Sequence, residues 1–304
     1  MSGPLTVSPG AAAARPRRRR WPARLATRVV RDPDTRLSVL SLVGLFVLWQ
    51  VVSLLAGRTS VSDERYVPNV VDVVGAFPTI AYYWRGGLGV EATTDGGHLT
   101  VLGAVYGLVH NSLATLLRLA IGLAIGFVLA GAAATIVCWS KLLRRTFLLP
   151  AHAARMLPLL AMSPLFGIWF GNSEVGAVLF IAFATFAIVF VVALTAIDAI
   201  PPYYQQYARS LGAGRIRAYV TGFLPAALPA LRGGVLLALG FGWSMVIAAE
   251  FIGQDVGLGN IVNRAQEFGR TDTLAVVGAF VVLYAWASYK LASRAFDRLV
   301  RWAE

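Results

Sequence analysis

Six apolar stretches, each roughly 20 residues long, punctuate the chain at 37–56, 112–137, 151–170, 176–197, 233–253 and 273–291. A helix of that length crosses about 30 Å of hydrocarbon. Lipid offers no hydrogen bonds to a backbone, so only helices or a closed barrel can span it. No alternating strand pattern accompanies these stretches, which argues against a barrel. The expected fold class is an all-α, polytopic membrane protein with six spans. Charged residues make up 14% of the chain and hydrophobic ones 57%, whereas a soluble domain carries about 25% charged. Such a chain could not cover a soluble surface, and it is too apolar for disorder. One cysteine excludes a disulfide framework and a cysteine-rich zinc site.

The charges between the stretches supply an orientation. Arg15, Arg17 to Arg20, Arg24, Arg28, Arg31 and Arg36 precede the first stretch. Lys141, Arg144 and Arg145 follow the second, Arg209, Arg215, Arg217 and Arg232 lie between the fourth and fifth, and Lys290, Arg294, Arg298 and Arg301 close the chain. The connections between these basic segments are richer in acid, with Asp63, Glu64, Asp72, Glu91 and Asp95 in the first and Glu174 alone in the second. Basic segments are retained in the cytoplasm, so both termini are expected there. The first stretch is longer than a signal-peptide core and lacks a small-residue cleavage site after it, so it is read as a retained span. The net charge of +12 is therefore assigned to topology, with attraction to membrane lipid as a second use and nucleic acid not expected.

Two connections are long. The external segment 57–111 contains Val70–Trp84, expected to be one helix after Pro68 and Asn69. The external segment 254–272 contains Gly257-Leu258-Gly259, expected to be a flexible turn, and an amphipathic stretch from Asn260 to Phe268. On the cytoplasmic side, Pro201-Pro202 can start a helix but not continue one. Tyr203 to Leu211 reads as a short helix that Gly212 ends in the left-handed region, with a second one from Arg215. Tyr203, Tyr204, Tyr207 and the nearby arginines suit a protein contact and equally a helix lying on lipid headgroups.

The run Gln206-Tyr207-Ala208, three residues, Gly212, eleven residues, Leu224-Pro225 resembles the cytoplasmic signature of the permease subunits of ABC importers. There the pattern is Glu-Ala-Ala, three residues, Gly, nine residues, Ile, one residue, Leu-Pro. Gln206 stands for the Glu, Tyr207 for the first Ala and Gly222 for the Ile. Ala208 to Ala213, Leu224 to Pro229, Pro164-Leu165-Phe166 with Trp169-Phe170-Gly171, Ala249-Glu250, Gly257 to Gly259 and Arg270-Thr271-Asp272 are similar to the nitrate/sulfonate/taurine branch. The resemblance covers about 112–301, and weakly 67–77. It implies a type I, MetI-like permease domain, placed over 37–301, and does not cover 86–105 or the segment 1–36, which its arginines make a basic, disordered cytoplasmic tail. It also implies a coupling helix at about 201–217 whose Tyr203, Gln206, Tyr207, Ala208, Leu211, Gly212 and Arg215 meet an ATPase, with Leu224 and Pro225 ending the loop. The implied partners are a second permease copy, two ABC ATPase subunits and an extracytoplasmic substrate-binding protein. The substrate class implied is a small anion such as an aliphatic sulfonate, taurine or nitrate. By the same resemblance Gly257, Leu258 and Gly259 close the outer mouth and meet the binding protein.

Ionisable residues inside a span are functional candidates by default. Arg118 and Glu250 stand well inside, at similar depths from the external side. They can pair with each other, in which case exchanging them should restore what either change damages, or Arg118 can face the path and attract an anion. Trp243 and Ser244, near the middle of the fifth stretch, are candidates for a gate or for a packed gap. Met156, Leu157, Pro158 and Pro164 interrupt the backbone ladder around Ser163, a further path candidate.

No Gly-x4-Gly-Lys-Ser/Thr loop occurs, and neither Lys141 nor Lys290 follows a glycine. The chain is therefore expected not to be an enzyme and to hold no cofactor or metal, with ATP and Mg on a partner ATPase. A channel or secondary transporter is the rival reading. An intramembrane protease is weaker, since Ser244 is followed by Met245 and the last stretch holds no histidine to act as base.

Overall fold

The computed structural model describes residues 33–58, 63–93, 98–201, 203–212, 214–219, 222 and 224–301. The tail up to residue 32 and positions 94–97 lie outside them. In chain order the helices are α1 Pro33–Leu55, α2 Val70–Gly75, α3 Val101–Trp139, α4 Lys141–Met156, α5 Ser163–Phe170, α6 Glu174–Asp198, α7 Tyr203–Ser210, α8 Arg215–Ala218, α9 Leu224–Gly253, α10 Leu258–Glu267 and α11 Thr271–Leu299. Short 3₁₀ helices cover Phe77–Tyr83 and Leu159–Met162. Among the described residues no strand forms, only isolated bridges. Five helices are long and apolar enough to cross a membrane, and six when the bent pair formed by α4 with the Leu159–Phe170 segment counts as one.

The chain divides into two compact units, Met1–Val51 and Val52–Glu304. In the first, α1 exposes Leu37, Leu40, Leu42 and Leu45, an apolar surface suited to lipid. In the second, α6 is buried on nearly every side, including Phe180, Ile181, Ala184, Thr185, Phe190 and Leu194. Glycines let its neighbours approach. A Cβ at Gly122 of α3 would stand 2.6 Å from the Ile181 Cβ, and one at Gly126 would stand 2.8 Å from the Ala182 carbonyl. Gly122 and Gly126 form a small-xxx-small face, which brings helices together where lipid supplies no hydrophobic drive. Gly234 of α9 plays the same part against Val192, about three turns further along α6.

Three elements differ from the sequence reading. The second span starts at Val101 rather than 112, because Thr100 caps it by accepting from the Gly103 N–H at 3.0 Å. Tyr106, His110 and Asn111 interrupt the apolar pattern without ending the helix. At 39 residues α3 is about 58 Å long, well beyond the hydrocarbon thickness. The stretch 151–170 is not one straight span: the chain turns through 89° between α4 and the Leu159–Phe170 segment. Leu157 is extended before Pro158, which lacks an N–H, and Pro164 restarts the helix in its first turn. Val70–Trp84 also splits. Asn69 and Asp72 form a reciprocal capping box at 2.8 and 3.1 Å. The helix they start stops at Gly75, before Pro78 begins the 3₁₀ segment.

Candidate functional site

Asn111, Thr115 and Arg118 lie on one face of α3, at i, i+4 and i+7. Opposite them Glu250 projects from the last turn of α9, and the chain then turns through Val256–Gly259 into α10. Three successive backbone donors of that turn are received by side chains. Gly257 N–H reaches Asn111 Oδ1 at 2.8 Å, Leu258 N–H reaches Thr115 Oγ1 at 2.9 Å, and Gly259 N–H reaches Glu250 Oε2 at 2.9 Å. Thr115 Oγ1 also lies 2.9 Å from Glu250 Oε2. Glu250 thus places a negative charge where unpaired N–H groups and the helix dipole favour one.

Arg118 completes the cluster. Its Nη1 donates to Glu250 Oε1 at 2.7 Å and to the Val256 carbonyl at 2.6 Å, and its Nε donates to Glu174 Oε2 at 2.5 Å. Nη2 pairs with the other oxygen of Glu174. The Arg118 and Glu250 side chains are 5% and 0% exposed, while that of Glu174 is 67% exposed. One guanidinium therefore links an enclosed carboxylate to a solvent-facing one at the first residue of α6. Each buried charge is matched by an opposite charge and further hydrogen bonds, the condition on which such a pair is tolerated.

The two glycines are close-packing residues and not the loose turn expected from sequence. Gly257 has φ 137°, and a Cβ on it would collide with the Glu250 carboxylate. A Cβ on Gly259 would stand 2.5 Å from the Ile247 carbonyl. Gly257, Leu258 and Gly259 are all buried. In this conformation they present no surface to another protein.

Ser163, Trp243 and Ser244 come together elsewhere. They line a cleft of about 530 Å³ with Leu160, Phe251 and Val281. Ser244 is exposed. Trp243 is 4% exposed, its indole N–H donates to Ser288 Oγ at 2.9 Å, and its ring lies nearly parallel to Tyr284. The Trp243 ring is therefore held against α11 at the wall of this cleft. Arg118 and Glu250 do not line this cleft.

The cytoplasmic corner is formed by α7, a turn and α8. Gly212 adopts φ 72°, a left-handed value that glycine takes without penalty. Tyr203 and Tyr207 meet edge to face at 6.1 Å. Tyr207 is 67% exposed and Leu211 86%, and Gln206 is exposed as well. The side chains of Ala208, Arg215 and Leu224 lie outside the described residues. Pro225 sits at the second residue of α9, where its missing N–H costs nothing. Tyr219 OH bonds Thr135 Oγ1 at 3.1 Å, tying the corner to α3.

Asn111, Thr115, Glu174 and Ser288 were not singled out by the sequence reading. The polar spacing 111/115/118 on an apolar helix was a usable signal for the first two. Glu174 and Ser288 carry no comparable pattern.

Residues 122–303 match the family model for the binding-protein-dependent transport system inner membrane component. The chain belongs to this family. It is a multi-pass membrane protein, and relatives carry the branch suggested by its motifs. The taurine transport system permease protein TauC of Escherichia coli (strain K12) is 38% identical over 144 residues, 47% of this chain and 52% of TauC. The putative aliphatic sulfonates transport permease protein SsuC of the same strain is 34% identical over 131 residues, 43% of this chain and 49% of SsuC. The chain thus spans about half the length of these two relatives. The SsuC protein of Bacillus subtilis (strain 168) is 30% identical over 244 residues, 79% of this chain and 77% of that protein. Among solved structures, an inward-facing methionine ABC transporter MetNI aligns with a TM-score of 0.55 at 21% identity, covering 65% of this chain and 96% of that one. That likeness concerns the fold, which is the MetI-like permease fold.

Proposed function

We propose that this chain is the permease subunit of an ATP-driven importer, forming the path for a small anionic solute of the sulfonate or taurine class. Two ATPase subunits dock on the α7 corners of two permease copies, and a separate binding protein delivers the solute from outside. ATP and Mg belong to the ATPase, and both termini of this chain lie in the cytoplasm. The names of the TauC and SsuC relatives support the substrate class.

One structural observation carries the mechanism. α6 leads into the α7 corner and α9 leads out of it, and the far ends of these two helices carry Glu174 and Glu250, the two partners of Arg118. α6, at 25 residues, is about 37 Å long. A displacement of the corner is thereby passed along two packed helices to the polar cluster that seats α10. Rigid elements with fixed turns are what such a switch needs. The cleft at Ser163 and Ser244 runs along the same outer half of α9 that carries the cluster, from Trp243 to Ile252, and supplies the path.

Purification of the tagged chain, co-expressed with its neighbouring genes in mild detergent, tests this. An ATPase recovered at one copy per permease, stimulating uptake of a sulfonate in vesicles only with ATP, supports the importer. Uptake that runs without ATP, driven by an ion gradient, would replace it with a secondary transporter.

A further inference from the structure

α4 is built unlike the spans around it. Positions 141, 144, 145, 152 and 155 share one helical face, which carries Arg144, Arg145 and His152, while the side chains of Lys141 and Arg155 lie outside the described residues. α4 contains no acidic residue. A second stripe, at i, i+7 and i+14, consists of Leu142, Leu149 and Met156, which are 74%, 77% and 76% exposed. The third face forms the wall of a groove of about 410 Å³ shared with α3 and α6, lined by Leu143, Phe147 and Ala154 with Ile136, Phe186 and Phe190.

The basic stripe lies at a defined level of the molecule. Arg144 pairs with Asp198, the last residue of α6, so the stripe begins where that span ends. Arg145, next in the same stripe, is exposed. From that level α4 runs inward along α6, since Phe147 and Ala154 meet Phe186 and Phe190 in the middle of that span, and its cationic first turn with Arg144 and Arg145 stands where anionic headgroups attract it. Each Lys or Arg held near anionic headgroups adds to that attraction. The groove beside the stripe is lined by carbon and takes hydrocarbon, while the stripe takes a negative headgroup.

We propose that α4 and this groove form a binding site for an anionic phospholipid, with an acyl chain between Phe147 and Phe186 and the phosphate against the Arg145 stripe. Two features on one helix, charge and cavity, match the two ends of one molecule. A soluble phosphate matches only the stripe, and a neutral lipid only the groove. The site is independent of what the chain transports.

The test is native mass spectrometry of the full chain in detergent, offered equal amounts of dioleoyl phosphatidylglycerol and dioleoyl phosphatidylcholine. The wild type should retain the anionic lipid in preference. Combined Lys141→Gln and Arg145→Gln should cut that preference about tenfold or more while neutral adducts persist. Ala154→Phe, which fills the groove, should reduce adducts of both lipids, and Ala154→Leu serves if the larger change disturbs folding. Equal retention of the two lipids by the wild type would overturn the site. So would a preference that survives both variants, or competition by inorganic phosphate as complete as by lipid. A groove covered by a second copy, seen as Ala154→Phe dissociating a dimer with lipid adducts unchanged, would also overturn it.

Discussion

Glu250 receives the backbone N–H of Gly259 at 2.9 Å on one carboxylate oxygen and the guanidinium of Arg118 at 2.7 Å on the other. The same side chain therefore caps α10 and neutralises the buried cation of α3. Its removal leaves the Gly259 N–H unmet and takes from Arg118 one of two carboxylates, Glu174 remaining. Glu250→Ala should lower stability by about 3 kcal/mol, the lower end of the cost of breaking a buried pair from one side. Glu250→Gln, which keeps an acceptor for Gly259, should lose less. Unfolding of the purified variants in detergent by denaturant checks the order, and equal losses would show that the cap contributes nothing.

Exchanging the pair, Arg118→Glu with Glu250→Arg, should fail to restore stability. A simple ion pair, one of the two readings open from sequence, would tolerate the exchange. In the structure, an arginine at 250 cannot accept from Gly259 and Thr115, and a glutamate at 118 faces Glu174 and the Val256 carbonyl. Full recovery in the double variant would show that only the charge pairing matters.

Gly126→Val should disturb the α3–α6 contact, because a Cβ there meets the Ala182 carbonyl at 2.8 Å and the Thr185 side chain more closely still. Overpacking of this kind costs about 1–3 kcal/mol or more. Gly131, one turn further along the same helix, has open space around it, and Gly131→Val should be nearly silent. Membrane accumulation and thermal melting of the two variants give the comparison. Equal behaviour would contradict the packing argument.

Gly212→Val forces a branched residue into φ 72°, a strain of roughly 1–2 kcal/mol. No atom stands within 4 Å of a Cβ built there, so the effect is conformational and local. Uptake per permease should fall while the amount of protein in the membrane holds. Unchanged uptake with ATPase bound would remove the corner from the coupling route.

Glu64 offers a pH test outside the spans. Burial and then the neighbouring Asp272 carboxyl raise its pKa above the ordinary carboxylate value, against the opposing pull of Arg270. A carboxyl whose folded value is raised favours the folded state when protonated. That contribution is complete below the unfolded value and is lost as pH climbs through the folded one. Glu64→Gln should therefore flatten the pH dependence of melting across and just above the ordinary carboxylate range. A variant with the wild-type slope there would place the titrating group elsewhere.

The spans themselves were legible because lipid imposes a length and an apolar composition that a single stretch must meet alone. The corner at Gly212 and the capping residue Asn69 were legible for the same local reason, since a left-handed residue or an N-cap depends on a few neighbours in sequence. What the tertiary structure decided lies between segments far apart in the chain. Arg118 and Glu250 stood out as costly charges, yet their meeting with Glu174, and the seating of residues 257–259 upon them, required three helices and a turn to converge. The glycines of that turn looked flexible because sequence shows their freedom and not what fills the space around them. Sequence left Trp243 open as a gate or a packed gap, and only the packed helices bring Ser288 and Tyr284 of α11 against it. The stretch 151–170 satisfied the composition of a span, but Pro158 bends it where a straight helix would have needed the missing N–H. Local rules act on a few residues and are written in the sequence, whereas close contact and the sharing of one buried charge among several donors exist only once the helices have packed.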